Sequence, residues 1–183
     1  MKKEYIVMGL CAVLVVGAVG GITFMKQKAQ RTETEVHYSY ATTNAEEITK
    51  LSARIVVGTI TQKEVKDVTK DGEQTVMTYY TLTAKEHIKG TATPSITLEH
   101  EGGQSPSSDY GVLTSDPTLE KGKTYFLFLR DETSGNYGIL GGPQGKYTVQ
   151  GSDIVEQDMA KSVFGLSEKV NLQKMKEIVK KYL

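Results

Sequence analysis

Along Thr75–Gly90, TVMTYYTLTAKEHIKG, apolar and polar residues alternate without a break. Val76, Thr78, Tyr80, Leu82, Ala84, Glu86 and Ile88 fall on one side of an extended chain. Thr75, Met77, Tyr79, Thr81, Thr83, Lys85 and His87 fall on the other. The first set is mostly apolar and the second mostly polar or amphipathic. A period of two, rich in β-branched and aromatic residues, predicts a long half-buried strand. Upstream, Arg54–Val68 is apolar on both faces at its start, with Ile55 and Val57 against Val56 and Ile60, which predicts cover on both sides. Gly58 within that run predicts a bulge or sharp coil. Asp71-Gly72 between the two runs is a strong hairpin signal, so the runs are expected to pair antiparallel.

The same pattern recurs in shorter pieces. Ser95–Glu101 alternates. The Gly/Ser/Pro/Asp-rich stretch Gly102–Pro117 reads as a long loop with a short strand at Tyr110–Leu113. Thr124–Arg130, TYFLFLR, is nearly all apolar and bounded by turn residues, which predicts a fully buried strand. Tyr137–Leu140, Lys146–Val149 and Asp153–Val155 finish the sheet, and Gly141–Gly145 is expected to be a tight hairpin reversal. Helical periods flank the strands. Asn44 caps a short helix that runs to about Ala53, with Glu46 and Glu47 in its first turn. After Gln157, Ser167 is the expected cap of a helix striped by Val170, Met175, Ile178, Val179 and Tyr182. Lys174, Lys176, Lys180 and Lys181 are expected on its opposite face. That helix reads as packed on the sheet, the other reading being a partner-binding or membrane-surface helix. The predicted fold is mainly β, an antiparallel β-barrel with a short helix before the first strand and a C-terminal helix.

The first residues follow another pattern. Tyr5–Met25 carries no charge and is closed off by Lys26, Lys28 and Arg31. A helix of about 20 residues rises roughly 30 Å, enough to cross a bilayer core. Ala18-Val19-Gly20 offers a cleavage site, but the apolar run continues past it, so an uncleaved signal anchor is expected over a cleaved signal peptide. Lys26, Lys28 and Arg31 favour a cytoplasmic C-terminal side, whereas the short dilysine tail and β-rich remainder favour export. We take export: a single-pass anchor in the cell membrane with the rest extracytoplasmic. The expected organisation is an anchor over residues 1–26, a polar tether over 27–43 and a barrel domain over 44–183. Gly17 and Gly21 form a G-x-x-x-G pair of the kind that lets two anchors approach and dimerise, though small residues near the end of an export signal explain it as well. The single cysteine, Cys11, lies inside the apolar run, so no intramolecular disulfide is available.

The order of motifs carries a resemblance. A capped helix leads into ARIVVGTI, then YYTLTAKEHIKG, SITLEHEGG, LEKGKTYFLFLR and YGILGGPQGKYTV. This resembles a recurring exported domain of bacteria and, more remotely, is similar to the netrin-like domain of the tissue inhibitors of metalloproteinases. The resemblance covers Ala45–Asp153 and implies an OB-fold barrel. Those inhibitors place an N-terminal cysteine on the catalytic zinc. Cys11 cannot serve that way, so no inhibitory role or site residue carries over.

Charge and chemistry narrow the function. Lys+Arg and Asp+Glu are both 22, so no field of one sign draws nucleic acid. His37, His87 and His100 are spread too far for a ligand motif, and strand geometry turns Glu99 and Glu101 away from His100. No nucleophile elbow, P-loop or zinc motif occurs. No cofactor and no metal are expected. A binding face on an OB-like barrel would use Tyr79, Lys85 and His87 on one side of the central strand, with Asp109 and Tyr110 in the long loop. The expected function is a membrane-anchored, extracytoplasmic binding or accessory protein, non-catalytic, with a protein or cell-envelope partner and no nucleic acid. The alternative is an envelope-associated hydrolase whose polar groups converge only in three dimensions. A pocket with two or more displaced ionisable groups would favour the enzyme. A shallow apolar or aromatic patch rimmed by the 102–117 loop would favour binding.

Overall fold

A computed structural model describes residues 31–33, 44–113 and 118–183. The apolar run Tyr5–Met25, the Gly17/Gly21 pair, Cys11 and most of the expected tether lie outside the described residues. Among the described residues no helix is long and apolar enough to cross a membrane.

The chain first forms a three-residue strand, β1 (Arg31–Glu33), inside the stretch expected to be an irregular tether. Helix α1 (Ala45–Leu51) begins at Asn44, whose side-chain oxygen accepts from the Glu47 amide at 2.9 Å. It ends where Ser52 Oγ donates to the Ile48 carbonyl at 2.6 Å. The Lys89 ammonium also closes it, donating to the carbonyls of Thr49 at 2.7 Å and Lys50 at 3.0 Å. A cation suits that negative end of the helix.

Strands β2 (Arg54–Lys70) and β3 (Glu73–Lys89) form the long antiparallel hairpin expected from the alternation. Asp71 and Gly72 turn it with φ of 53° and 87°, the left-handed pair that a two-residue turn requires. The register slips at Val57/Gly58, one of three such places along the pair. A Cβ on Gly58 would stand 2.7 Å from the Thr83 carbonyl oxygen, so the bulge needs glycine there. Strand β4 (Ser95–Glu101) pairs with β3. Strands β5 (Gly103–Gln104) and β6 (Gly111–Leu113) join β1 in a small sheet ordered β1-β6-β5.

Strand β7 (Thr124–Asp131) lies against β2 on one edge. Its other edge is shared by β8 (Tyr137–Ile139) and β9 (Lys146–Gln150), both antiparallel to it. Strands β8 and β9 therefore run in the same direction, and Gly141–Gly145 is not the hairpin reversal expected from its composition. It is a jog, a left-handed Gly141 followed by a 3-10 turn at Gly142–Gly145, opposite the Phe128 carbonyl that receives the Leu140 amide. Strand β10 (Asp153–Ile154) pairs with β9. The sheet order is β10-β9-β7-β2-β3-β4-β8, and the additional β7–β8 pairing joins β7, β2, β3, β4 and β8 in a partly closed ring, with β9 and β10 continuing from β7. The seam is β4 against β8, parallel and held at one residue pair, Leu98 with Tyr137.

The chain ends in two helices where one was expected. Helix α2 (Gln157–Phe164) stops at Gly165, left-handed at φ 63°. Helix α3 (Leu172–Lys180) is capped by Asn171, which accepts from the Lys174 amide at 2.8 Å, and not by Ser167. Lys176 leaves the predicted lysine face to pair with Glu86 of β3 at 2.9 Å.

Two cores result from strands covered on both faces. Val56, Ile60, Tyr80, Leu82, Leu98 and Leu127 fill the ring. Ile55, Val57, Phe126, Phe128 and Tyr147 point outward and are covered by Phe164, Met175 and Val179 from the helices. Strands β2 and β7 thus feed both cores from alternate residues, as their unbroken apolar runs require.

Candidate functional site

The seam between β4 and β8 opens into a cleft of about 170 Å³. It forms there because β8 is three residues long and meets β4 at one pair, leaving side chains of β3, β4 and β7 to line the gap. The floor is apolar, made by Met77, Tyr80, Leu98, Leu119 and Ile139. The rim is charged and braced. Lys70, at the end of β2, meets Glu101 of β4 at 2.9 Å, and Thr75 Oγ1 donates to the same carboxylate at 3.2 Å. Arg130 of β7 donates from Nε to Glu132 at 2.8 Å. Glu99 accepts from Ser134 Oγ at 2.7 Å and Asn136 Nδ2 at 2.8 Å, both in the β7–β8 turn. His100 also lines the cleft.

The electrostatics of the rim are those of ion pairs. The Lys70 ammonium bonded to Glu101 holds that carboxyl below its ordinary 4.5, against a smaller opposing effect of burial. The same bond raises Lys70 above its ordinary 10.5. Both groups are displaced, but each toward its charged form. A general acid or base needs the opposite, a displacement toward neutrality near the working pH. Among the described residues no group of three or more His, Cys, Asp or Glu is arranged to hold a metal ion.

The five residues expected on a binding face are spread over the molecule. Tyr79 lies on β3 with the Lys66 ammonium 5.5 Å from its ring. Lys85 is exposed farther along β3 and donates to Thr124 Oγ1 at 3.1 Å. His87 is half-buried, with Nε2 2.8 Å from the Thr93 carbonyl oxygen and 3.2 Å from the Thr93 amide nitrogen. Its ring organises the β3–β4 connection. Asp109 is exposed on the loop before β6. Tyr110 comes nearest the cleft: it lines a shallower hollow of about 350 Å³ whose wall includes Lys70 and Glu101, the residues that also edge the seam.

The cleft residues Lys70, Glu99, His100, Glu101, Arg130 and Glu132 come from three strands and a turn far apart in sequence. One local signal pointed to part of this set: Glu99-His100-Glu101 concentrates three polar residues at the end of an alternating strand. Compared with known proteins, the chain matches no family model and no curated protein in sequence.

Proposed function

We propose that this protein is a non-catalytic binding or accessory protein, held at the cell membrane by residues 1–26 with its barrel outside the cytoplasm, and that the β4–β8 cleft receives a segment of a protein partner in the cell envelope. The barrel reading is OB-like: a five-stranded, partly open ring formed by β2, β3, β4, β8 and β7. In such barrels the second and third strands, with the first and fourth connections, carry the ligand. Here those are β3, β4, the Asp71-Gly72 turn and the turn after β7, and they surround the seam.

The observation that carries the reading is the cleft's construction, an apolar floor inside a rim of ion pairs. Its volume is below the roughly 300–1,000 Å³ of small-molecule sites. It suits one side chain of a partner segment, with the long loop and Tyr110 beside it to hold flanking residues. Glu99, Glu101 and Glu132 outnumber Lys70 and Arg130, so a basic side chain is the favoured insert. Lys70 and Glu101 are each displaced toward the charged form, which favours recognition over proton transfer.

The test is site-specific photo-crosslinking of the full chain in intact membranes, with the reactive residue at His100 or Tyr110 and a control at Leu51, which is exposed on α1. The reading requires one discrete protein adduct from the two cleft positions and none from Leu51. Equal labelling at all three positions, or none at the cleft, overturns it. Protease added to intact cells must remove the barrel while leaving the anchor; protection of the barrel overturns the export reading.

A further inference from the structure

Past Ile60, β2 has an open edge. Its pairing with β7 ends at Thr59 opposite Thr124, and the Ile60 backbone is taken up by Lys123 and Gly122. From Gln62 to Lys70 it keeps β3 on one edge, and among the described residues no strand pairs with the other. This length is exposed except for half-buried Val65 and Val68. An open edge presents a row of backbone donors and acceptors to any extended chain.

The sequence along this edge is TQKEVKDVT, from Thr61 to Thr69. About Val65 its charges are symmetric in position and opposite in sign: Glu64 against Lys66, and Lys63 against Asp67. We propose that this edge is a homodimer interface, two copies joining edge to edge as antiparallel β2 strands centred on Val65. A two-fold axis through Val65 sets Glu64 opposite the partner's Lys66 and Lys63 opposite the partner's Asp67, each pair on one face of the joined sheet. Val65 then meets its own copy, and the threonines at both ends face each other.

No nearby register does as well. Centring on Lys63, Glu64, Lys66 or Asp67 puts that charge against itself, and centring on Val68 sets Lys66 opposite Lys70. A slip by one residue is barred because it would turn facing side chains to opposite sides. Lysines on an edge ordinarily discourage pairing. Here each meets a carboxylate of its own copy, so the same charges reject unrelated strands.

The groups are held where the pairing needs them. Glu64 and Lys66 lie 3.0 Å apart on one face, ready to form a four-charge square with the copy. The Lys63 ammonium is 5.8 Å from the Tyr80 ring. The Asp67 carboxylate is fixed by the hydroxyls of Ser105, at 3.0 Å, and Ser107. The paired stretch, residues 61–69, includes none of the residues that line the cleft.

The test uses the full chain in membranes, with Cys11→Ala and Val65→Cys so that residue 65 is the sole thiol. Mild oxidation is expected to yield a covalent dimer. Adding Glu64→Lys or Lys66→Glu sets like charges opposite each other twice and is expected to lower the yield about tenfold. Combining Glu64→Lys with Lys66→Glu in one chain restores the opposite pairs and the yield. Mixing the two single variants restores it as a mixed dimer. The side chains of Lys66 and Glu64 are 51% and 63% exposed, so unfolding midpoints are expected to stay within error, which separates loss of contact from loss of fold. No dimer from Val65→Cys, equal yield in all variants, or failure of the double swap to recover overturns the proposal.

Discussion

Gly138 lets the Glu132 carboxylate lie directly against β8. A Cβ there would overlap Glu132 Oε1 and come within 3.2 Å of Arg130 Nε. The obstruction is the far end of a flexible side chain, so Gly138→Ala is expected to expel the carboxylate and spare the fold. Stability should fall by less than about 1 kcal/mol, while the Arg130 Nε–H resonance moves to the position of a solvated guanidinium. The Lys70–Glu101 pair makes a second prediction through its protonation. Glu101's folded-state pKa is depressed, so the unfolded chain binds more protons in acid, and the stabilisation is full above 4.5 and lost as pH falls through the lower folded value. Lys70's is raised, so its share is full below 10.5 and lost only above that. The Glu101 and Lys70 side chains are 41% and 56% exposed, which limits the effect to less than about 1 kcal/mol. Denaturant midpoints of the natural chain and Glu101→Gln should differ by a constant amount between about pH 6 and 9, and the difference should shrink only as pH falls below 4.5 and through the lower folded value.

Among the elements, those defined by local alternation were legible in the chain: β2, β3, β4 and β7 fall where the period of two and its breaks place them. The jog after β8 was not. Gly141–Gly145 has the composition of a reversal, and only the shared edge of β7 reveals that β8 and β9 point the same way. Similarly, Ser167 is a good cap by type, but Gly165 ends one helix and Asn171 starts the next after a connection pinned by Gln157. That amide donates to the Val170 carbonyl at 2.7 Å and accepts from its amide at 2.8 Å. Such bridges span thirteen residues and leave no periodic trace. The jog carries its own test. A Cβ on Gly145 would overlap the Leu140 carbonyl oxygen, a backbone atom with no rotamer to relax into. Gly145→Ala is therefore expected to cost about 3 kcal/mol or more in chemical denaturation, well above Gly138→Ala.

At the scale of the molecule, the cleft was largely illegible because it is made by ring closure. Glu99 and Asn136 become neighbours only when β4 reaches β8, and Lys70 meets Glu101 only when β4 folds back along β3, and no residue there announces its partner. The two-sided apolarity of Ile55–Ile60 and Tyr125–Leu129 was legible, and it determines how the whole unit unfolds. These strands place alternate residues in the ring and under the helices, so neither core can empty without stripping one face of β2 and β7. Leu98 belongs to the ring and Met175 to the helical layer, and each is buried. Leu98→Ala and Met175→Ala are each expected to destabilise by about 2–5 kcal/mol. Because the strands are common to both layers, both variants should shift one shared transition, with tyrosine fluorescence and far-ultraviolet dichroism coinciding. If Met175→Ala instead splits the curve and leaves the strand signal at its original midpoint, the ring stands without its helices and the coupling through β2 and β7 is wrong.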